Sequence, residues 1–514
     1  MLKLTPTAVL SAAALALLAG CGGGSSSGTP LPVDPPPVTP PPVNPPPVDP
    51  PPVDPPPPAR LPNSLDYQHA CVAPGTGSWE RQGTLDDEKT WVRLWIDDTY
   101  LWYKEVPKPD PAAFRAAVDL FNVLKTPQLS ASGRPKDRYH FSYPNATWAE
   151  MSRGVELGYG LAWARNADPA IPRTWRITTV LPGSAAALAG LRRGDQLLAV
   201  DGHDFVHGAD AETVARLNAG LFPRAEREQH VLTLARDGVE LSATLQSAKV
   251  DMAPVQAVKV LDAPDGKVGY LSFDQHNAVA ERPLVDAFAE LKAAAVGDLV
   301  LDLRYNGGGL LTIASQLAYM IAGPDNTAGH FFEQTLPNDK IKVDKPLEFL
   351  RKTMGLPAPK PVPAGRPLPT LGLKRVTILT GPGTCSASES VINGLRGADV
   401  DVTLIGGQTC GKPYAFLPTQ NCGTTYFAIQ YQGINSKGFG DYSDGFAPAC
   451  KVADDFSREL GDPQEAQLAA ALHYRAHGRC PVPQARQRAQ AAPQPAMLPV
   501  RPEGSEISIY TPQQ

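Results

Sequence analysis

Residues 375–397 read RVTILTGPGTCSASESVINGLRG: an apolar run, a Gly-Pro-Gly break, then small residues opening a helical pattern. An unbroken apolar run of this length predicts a strand buried on both faces. The helix after it places whatever stands at the junction at its positive end. Ser386 and Ser388 occupy that junction, with Cys385 just ahead. A serine there either caps the helix or serves as a nucleophile, and the flanking sequence has to separate the two.

The pattern repeats on both sides. GKVGYLSF from Gly266 precedes a helical ERPLVDAFAELKAAA, then comes DLVLDLRYNGGGLLTIASQLAYMIAG, a Pro-rich loop over 338–374, the quoted strand, and DVTLIG leading into GGQTCGKPYAF. Apolar strands alternating with helices predict α/β layering around a partly parallel sheet over residues 253–480. Ligands of such sheets collect at the carboxyl ends of the strands. Three chemically useful pieces stand at such ends: Ser386, Lys412 and the glycine run of RYNGGGLL, whose N–H groups no side chain shields. Each has an ordinary reading as a cap, a solvated lysine or a turn. Together they supply a nucleophile, a base and oxyanion donors.

Residues 154–250 have a different texture, with short strands bounded by glycine and helices of about two turns. At VLPGSAAALAGLRRGDQLLAVDG the block resembles a PDZ domain. That resemblance implies capture of a free chain end as an added strand, its carboxylate meeting successive backbone N–H groups. The loop GYGL then assigns this contact to Tyr159, Gly160 and Leu161.

Taken in order, the PDZ-like block, LDLRYNGGG, SASE and GK resemble the C-terminal processing, or tail-specific, peptidases over about residues 154–440. The resemblance implies a multidomain α/β protein: a helical N-terminal domain (61–150), a β-rich PDZ domain (154–250) and an α/β serine-protease domain (253–480). It assigns Ser386 as nucleophile, Lys412 as base, and Gly308 and Ala387 as oxyanion donors, with no cofactor and no metal. Ser388 is the close alternative nucleophile, read as a structural cap. Lysine can act as base only as the free amine, so its pKa has to fall from about 10.4 toward neutrality. The family's Gln four residues after the Lys is Phe416 here, with Gln408 and Gln420 as replacements, and Cys385 stands where the family often has Ala. The implied function is a serine endopeptidase acting through an acyl-enzyme on proteins recognised by their C-termini. The alternative is a non-catalytic PDZ lipoprotein that binds peptides. A Ser-His-Asp hydrolase is disfavoured because TCSAS lacks the Gly-x-Ser-x-Gly elbow.

The remainder concerns address and compartment. Residues 1–20 read as a secretory signal ending in Leu-Ala-Gly before Cys21, which resembles a lipobox and implies acylation of Cys21. Glycine after Cys21 points to an outer-membrane lipoprotein facing the periplasm. Residues 21–60 pass from Gly/Ser to a Pro-Pro-Pro-Val repeat, a spacer of roughly 80 Å if extended as polyproline II. Beyond Cys21, six cysteines remain, Cys71, Cys385, Cys410, Cys422, Cys450 and Cys480, an even number suited to disulfides. Six allow fifteen pairings; a bridge bracing the loops of Cys385 and Cys410 is one expectation. A net charge of −5 without a basic cluster argues against nucleic acid. In the helical block, Trp91, Leu94, Trp95, Leu101 and Trp102 share one helical face and read as core. The tail 481–514, rich in Pro, Gln and Ala, reads as largely disordered, with SEISIY able to add a late strand.

Overall fold

The computed structural model describes residues 62–76, 79–166, 172–482, 497–500 and the backbone of 508–509; the expected signal, Cys21 and the proline spacer lie outside the described residues. The first long helix, α1 (Leu85–Thr99), starts at Thr84, whose hydroxyl accepts from the Asp87 N–H while the Asp87 carboxylate accepts from the Thr84 N–H. This reciprocal pair satisfies two N–H groups that would otherwise lack partners. Trp91, Val92, Trp95 and Ile96 bury one face, with the Trp91 and Trp95 rings stacked at 5.3 Å. The helix stops at Thr99, so Leu101 and Trp102 reach this core from the following turn and not from the helix face. A shorter helix, α2 (Ala117–Val123), adds Leu120 and Phe121. Residues 124–140 form turns, because TPQLSASGRPKD interrupts any helical period. Phe141–Pro144 is a strand paired with Thr424–Phe427. Tyr426, Ala428, Ile429 and Cys385 complete the tryptophan core, which brings the N-terminal helices against the junction quoted above.

The next block folds around β1 (Leu161–Asn166), β2 (Trp175–Val180), β3 (Gln196–Val200), α3 (Ala211–Leu221), β4 (Gln229–Arg236) and β5 (Val239–Gln246). The strands run antiparallel in the order β5-β4-β3-β2-β1 over a core that includes Ile177, Leu197, Leu217 and Leu234. The far side of β1 is occupied by Met497–Val500, antiparallel, with Met497 opposite Asn166 and Val500 opposite Trp163. This strand lies in the tail expected to be largely disordered, and its Met-Leu-Pro-Val composition gave no strand signal because proline argues against one. Ser508–Ile509, inside SEISIY, pairs with Gly309–Leu310.

The third block is built on β6 (Val255–Ala263), β7 (Gly266–Phe273), α4 (Glu281–Ala293), β8 (Asp298–Asp302), α5 (Leu311–Asn326), β9 (Arg375–Thr380), α6 (Ala387–Gly397), β10 (Asp401–Gly406), β11 (Cys450–Lys451) and α7 (Ala466–His477). The sheet order is β6-β7-β8-β9-β10-β11; β6 is antiparallel to β7 and the remaining pairs are parallel. Adjacent strand residues point to opposite faces. Leu299, Leu301, Ile378 and Leu404 accordingly pack with α4, α5 and α6, while Val300, Leu379 and Ile405 pack with α7. Both faces are covered, which explains strands with no polar alternation.

Three disulfides join Cys71 to Cys422, Cys385 to Cys410 and Cys450 to Cys480. The PDZ-like block and the sheet meet at Arg193, in the turn before β3. Its guanidinium donates to Asp454 at 2.6 Å, to the Tyr305 hydroxyl at 2.6 Å and to three backbone carbonyls. Asp454 also accepts from Arg304, which is itself paired with Asp302 and Glu465. Gly194 follows at φ +89°, where a side chain would strike the Phe456 carbonyl at 2.2 Å.

Candidate active site

Ser386 stands between β9 and α6 with φ 63° and ψ −118°, a backbone region that a residue with a side chain rarely adopts. Holding a non-glycine there costs of order 1–3 kcal/mol and persists only where the surroundings enforce it. The conformation turns the chain sharply from strand to helix, as in a nucleophile elbow, although the sequence lacks that motif. The hydroxyl is fully buried and makes no hydrogen bond, so Ser386 is not acting as a cap. Ser388 is not a cap either. It lies in the first turn of α6, and its hydroxyl donates to the Asn306 carbonyl at 3.0 Å, fastening the helix to the glycine loop.

The turn is enforced by Glu389, a residue whose role sequence reading missed. Its Oε2 accepts from the Ser386 N–H at 2.9 Å and the Lys412 N–H at 2.8 Å, and its Oε1 from the Thr409 hydroxyl at 2.6 Å and the Gly411 N–H at 2.8 Å. One buried carboxylate thus holds the loops that carry Ser386 and Lys412. Burial pushes its carboxyl pKa up, and the four donors pull in the opposite direction without cancelling the rise. The signal was present as Ser-x-x-Glu at 386–389, the capping-box spacing, and the Glu389 carboxylate accepts from the N-cap backbone as that spacing allows. The Cys385–Cys410 disulfide joins the same two loops covalently. These sulfurs, the ones nearest Glu389, are therefore not available as thiolate ligands for a metal.

Lys412 is buried, its Nζ 4.6 Å from the centroid of the Tyr139 ring and 4.2 Å from that of Phe416. Tyr139 comes from the N-terminal block and also donates its hydroxyl to the Gly411 carbonyl at 3.3 Å. An aromatic face thus stands where glutamine was expected. Of the two proposed replacements, Gln408 is exposed and donates to the Asp444 carbonyl, and Gln420 is exposed in a hairpin opposite Thr425.

The glycine loop adjoins both. Asn306 accepts the Cys385 N–H on its carbonyl at 3.1 Å, and its side-chain oxygen accepts from Gly308 N–H at 3.0 Å and sits 3.0 Å from His276 Nδ1. The Gly308 N–H is therefore already engaged, whereas Ala387 opens α6, where N–H groups have no intrahelical acceptor. His276 is wholly buried, and loss of hydration pushes its imidazole down to about 3. It is a neutral support for Asn306. In the PDZ-like block, Gly160 has φ +74° and its carbonyl accepts from Leu181, while the Tyr159 carbonyl accepts from Ala186. Both residues are thereby fixed in a tight loop beside β1.

A buried serine on a strained turn after β9 and a buried lysine in the loop after β10, tied together through Glu389, thus lie at the carboxyl ends of adjacent parallel strands in an α/β fold with a PDZ-like block attached. Residues 267–430 match the model of Peptidase family S41, residues 87–143 the Peptidase S41 N-terminal domain and residues 176–222 a PDZ domain. Over these segments the chain is similar to the S41 peptidases, and the relatives it matches are named carboxyl-terminal-processing proteases. A carboxyl-terminal-processing protease of Synechocystis sp. is 27% identical over 46% of this chain and 49% of its own length. Carboxyl-terminal-processing peptidase 1, chloroplastic, of Arabidopsis thaliana is 26% identical over 62% of this chain and 59% of its own. The chain therefore spans between about half and three fifths of these two relatives. A solved structure assigned to an S41 protease of Bacteroides fragilis shares the fold, with TM-score 0.56 and 22% identity over 75% of this chain and 97% of that one.

Proposed function

We propose that this chain is a serine endopeptidase that cleaves protein substrates presented through their C-termini, with Ser386 as nucleophile and Lys412 as base. The observation that carries the reading is the buried, unbonded Ser386 hydroxyl on a strained turn, tied through Glu389 to the loop of Lys412. The free amine of Lys412 takes the Ser386 proton as the oxygen attacks the scissile carbonyl. The oxyanion develops at the N-terminus of α6, where the Ala387 N–H and the helix dipole favour negative charge. Lys412 returns the proton to the leaving amine, and water then hydrolyses the acyl-enzyme. Gly308 serves as second donor only once its N–H leaves Asn306, so substrate entry has to open that bond. Tyr159, Gly160 and Leu161 receive the substrate carboxylate.

The decisive experiment is labelling with a fluorophosphonate followed by peptide mapping. Adduct on Ser386, absent in Ser386→Ala, supports the assignment; adduct on Ser388 moves the nucleophile by two residues. No adduct and no turnover would favour the non-catalytic, peptide-binding lipoprotein. Anchoring through Cys21 in the outer membrane is part of the same proposal. It predicts that Cys21→Ala shifts the protein from the membrane to the soluble fraction.

A further inference from the structure

The sheet edge at β1 is filled by this chain itself. Met497–Val500 pairs with it over four residues, antiparallel, and runs toward the Tyr159–Leu161 end, the direction a captured chain end would take. Its side chains seat on both neighbours. Val500 packs on the PDZ-like core, Leu498 lines a cavity with Tyr139, Pro382, Thr409 and Cys410, and Pro499 lies so close to Gly383 that a Cβ there would meet its ring at 2.4 Å. Gly383 stands three residues before Ser386. Pro499 has no N–H to donate, which an outermost strand tolerates. Further on, Ser508–Ile509 pairs in parallel with Gly309–Leu310, beside the glycine run. One tail therefore touches the peptide-binding edge, the nucleophile loop and the glycine loop.

We propose that Met497–Val500 is a tethered ligand of the β1 edge, an apolar extended segment that competes with substrate chains for the same groove. The groove thus accepts an internal segment as well as a free end, since the chain continues to Gln514. The Cys450–Cys480 disulfide fixes the base of the tail, so the segment is presented at an effective concentration on the order of millimolar. A free peptide of modest affinity has to overcome that, and its apparent binding weakens by roughly tenfold or more. Binding here does not depend on the catalytic assignment; the consequence for turnover rests on it.

The test uses three proteins in a Ser386→Ala background, so that no probe is consumed: the full chain, the chain ending at Pro495, and the full chain with Leu498→Asp and Val500→Asp. The probe is a fluorescein-labelled peptide of residues 495–502, read by fluorescence anisotropy. The shortened chain should bind it at least tenfold more tightly than the full chain, and the doubly substituted chain should follow the shortened one. Equal affinity in all three, or no binding by either altered chain, overturns the proposal. With Ser386 restored, loss of the tail contact should raise cleavage of an unstructured protein at sub-saturating concentration. Absence of cleavage in every protein, with the anisotropy pattern intact, would sink the peptidase reading and leave the tethered ligand standing.

Discussion

Replacing Glu389 with glutamine changes one atom and tests whether a single carboxylate holds the candidate site together. Each of its oxygens accepts two hydrogen bonds, one pair from Thr409 and Gly411 and the other from Ser386 and Lys412. The NH2 end of the glutamine amide cannot accept, so in either orientation it faces two donors. Turned toward Thr409 and Gly411 it does least harm, because the Thr409 hydroxyl can accept from it; the Gly411 N–H is then left buried without a partner. An unsatisfied buried donor costs about 1–3 kcal/mol, and with the weakened Thr409 contact the substitution should destabilise this region by about 2–4 kcal/mol. Amide exchange measured by mass spectrometry on the peptide containing 409–412 should then lose roughly 30- to 1000-fold of its protection if it opens locally. Fluorophosphonate labelling of Ser386 should slow in parallel, since the φ of 63° loses its restraint. Exchange altered less than threefold with unchanged labelling would refute the argument. Because the Cys385–Cys410 disulfide restrains the same loops, the two effects should be non-additive, with Glu389→Gln more damaging after reduction.

Lys412→Ala should abolish turnover while leaving the thermal transition within a few degrees, and in the native protein kcat/KM should rise with pH, since only the free amine accepts the Ser386 proton. A flat profile from pH 5 to 9 would exclude Lys412 as the base. The depressed pKa of His276, about 3, means the unfolded chain binds a proton that the folded chain refuses. Its contribution is intact above the ordinary histidine pKa near 6.5 and is lost as pH falls toward 3, amounting to about 2 kcal/mol by pH 5. His276→Asn should flatten that part of the stability profile measured by thermal unfolding. Mild reduction of Cys385–Cys410, checked by mass mapping, should lower activity before the domain unfolds, and full activity with both thiols free would show that Glu389 suffices.

The sheet was legible because burial on both faces removes polar alternation, and RVTILT and LVLDL show that directly. The tryptophans read as core for the same kind of reason, although the helix ended earlier than their spacing suggested. What decides the site is less visible. The positive φ of Ser386 leaves no mark in the identity of the residue, since serine is ordinary at a helix start. Glu389 looks like a helix-start acid until one donor from its own turn and three from the 409–412 loop converge on it. The engagement of Gly308 by Asn306 is a conformational fact that a glycine triplet cannot announce. Disulfide partners were open among fifteen pairings, and the strand at Met497–Val500 exists only because β1 presents an unfilled edge to it.

The bridge between Cys71 and Cys422 has a sequence separation of 351 and so closes a covalent ring around the whole PDZ-like block and most of the sheet. Closing a ring of that size removes denatured-state entropy worth at most about 6 kcal/mol in the chain-entropy treatment. It also changes what damage looks like. A backbone cut anywhere inside the ring leaves the two fragments joined through sulfur, so a nicked molecule keeps its mass on a non-reducing gel and separates only when reduced. The chain can therefore be clipped in a surface loop inside the ring and still remain one molecule.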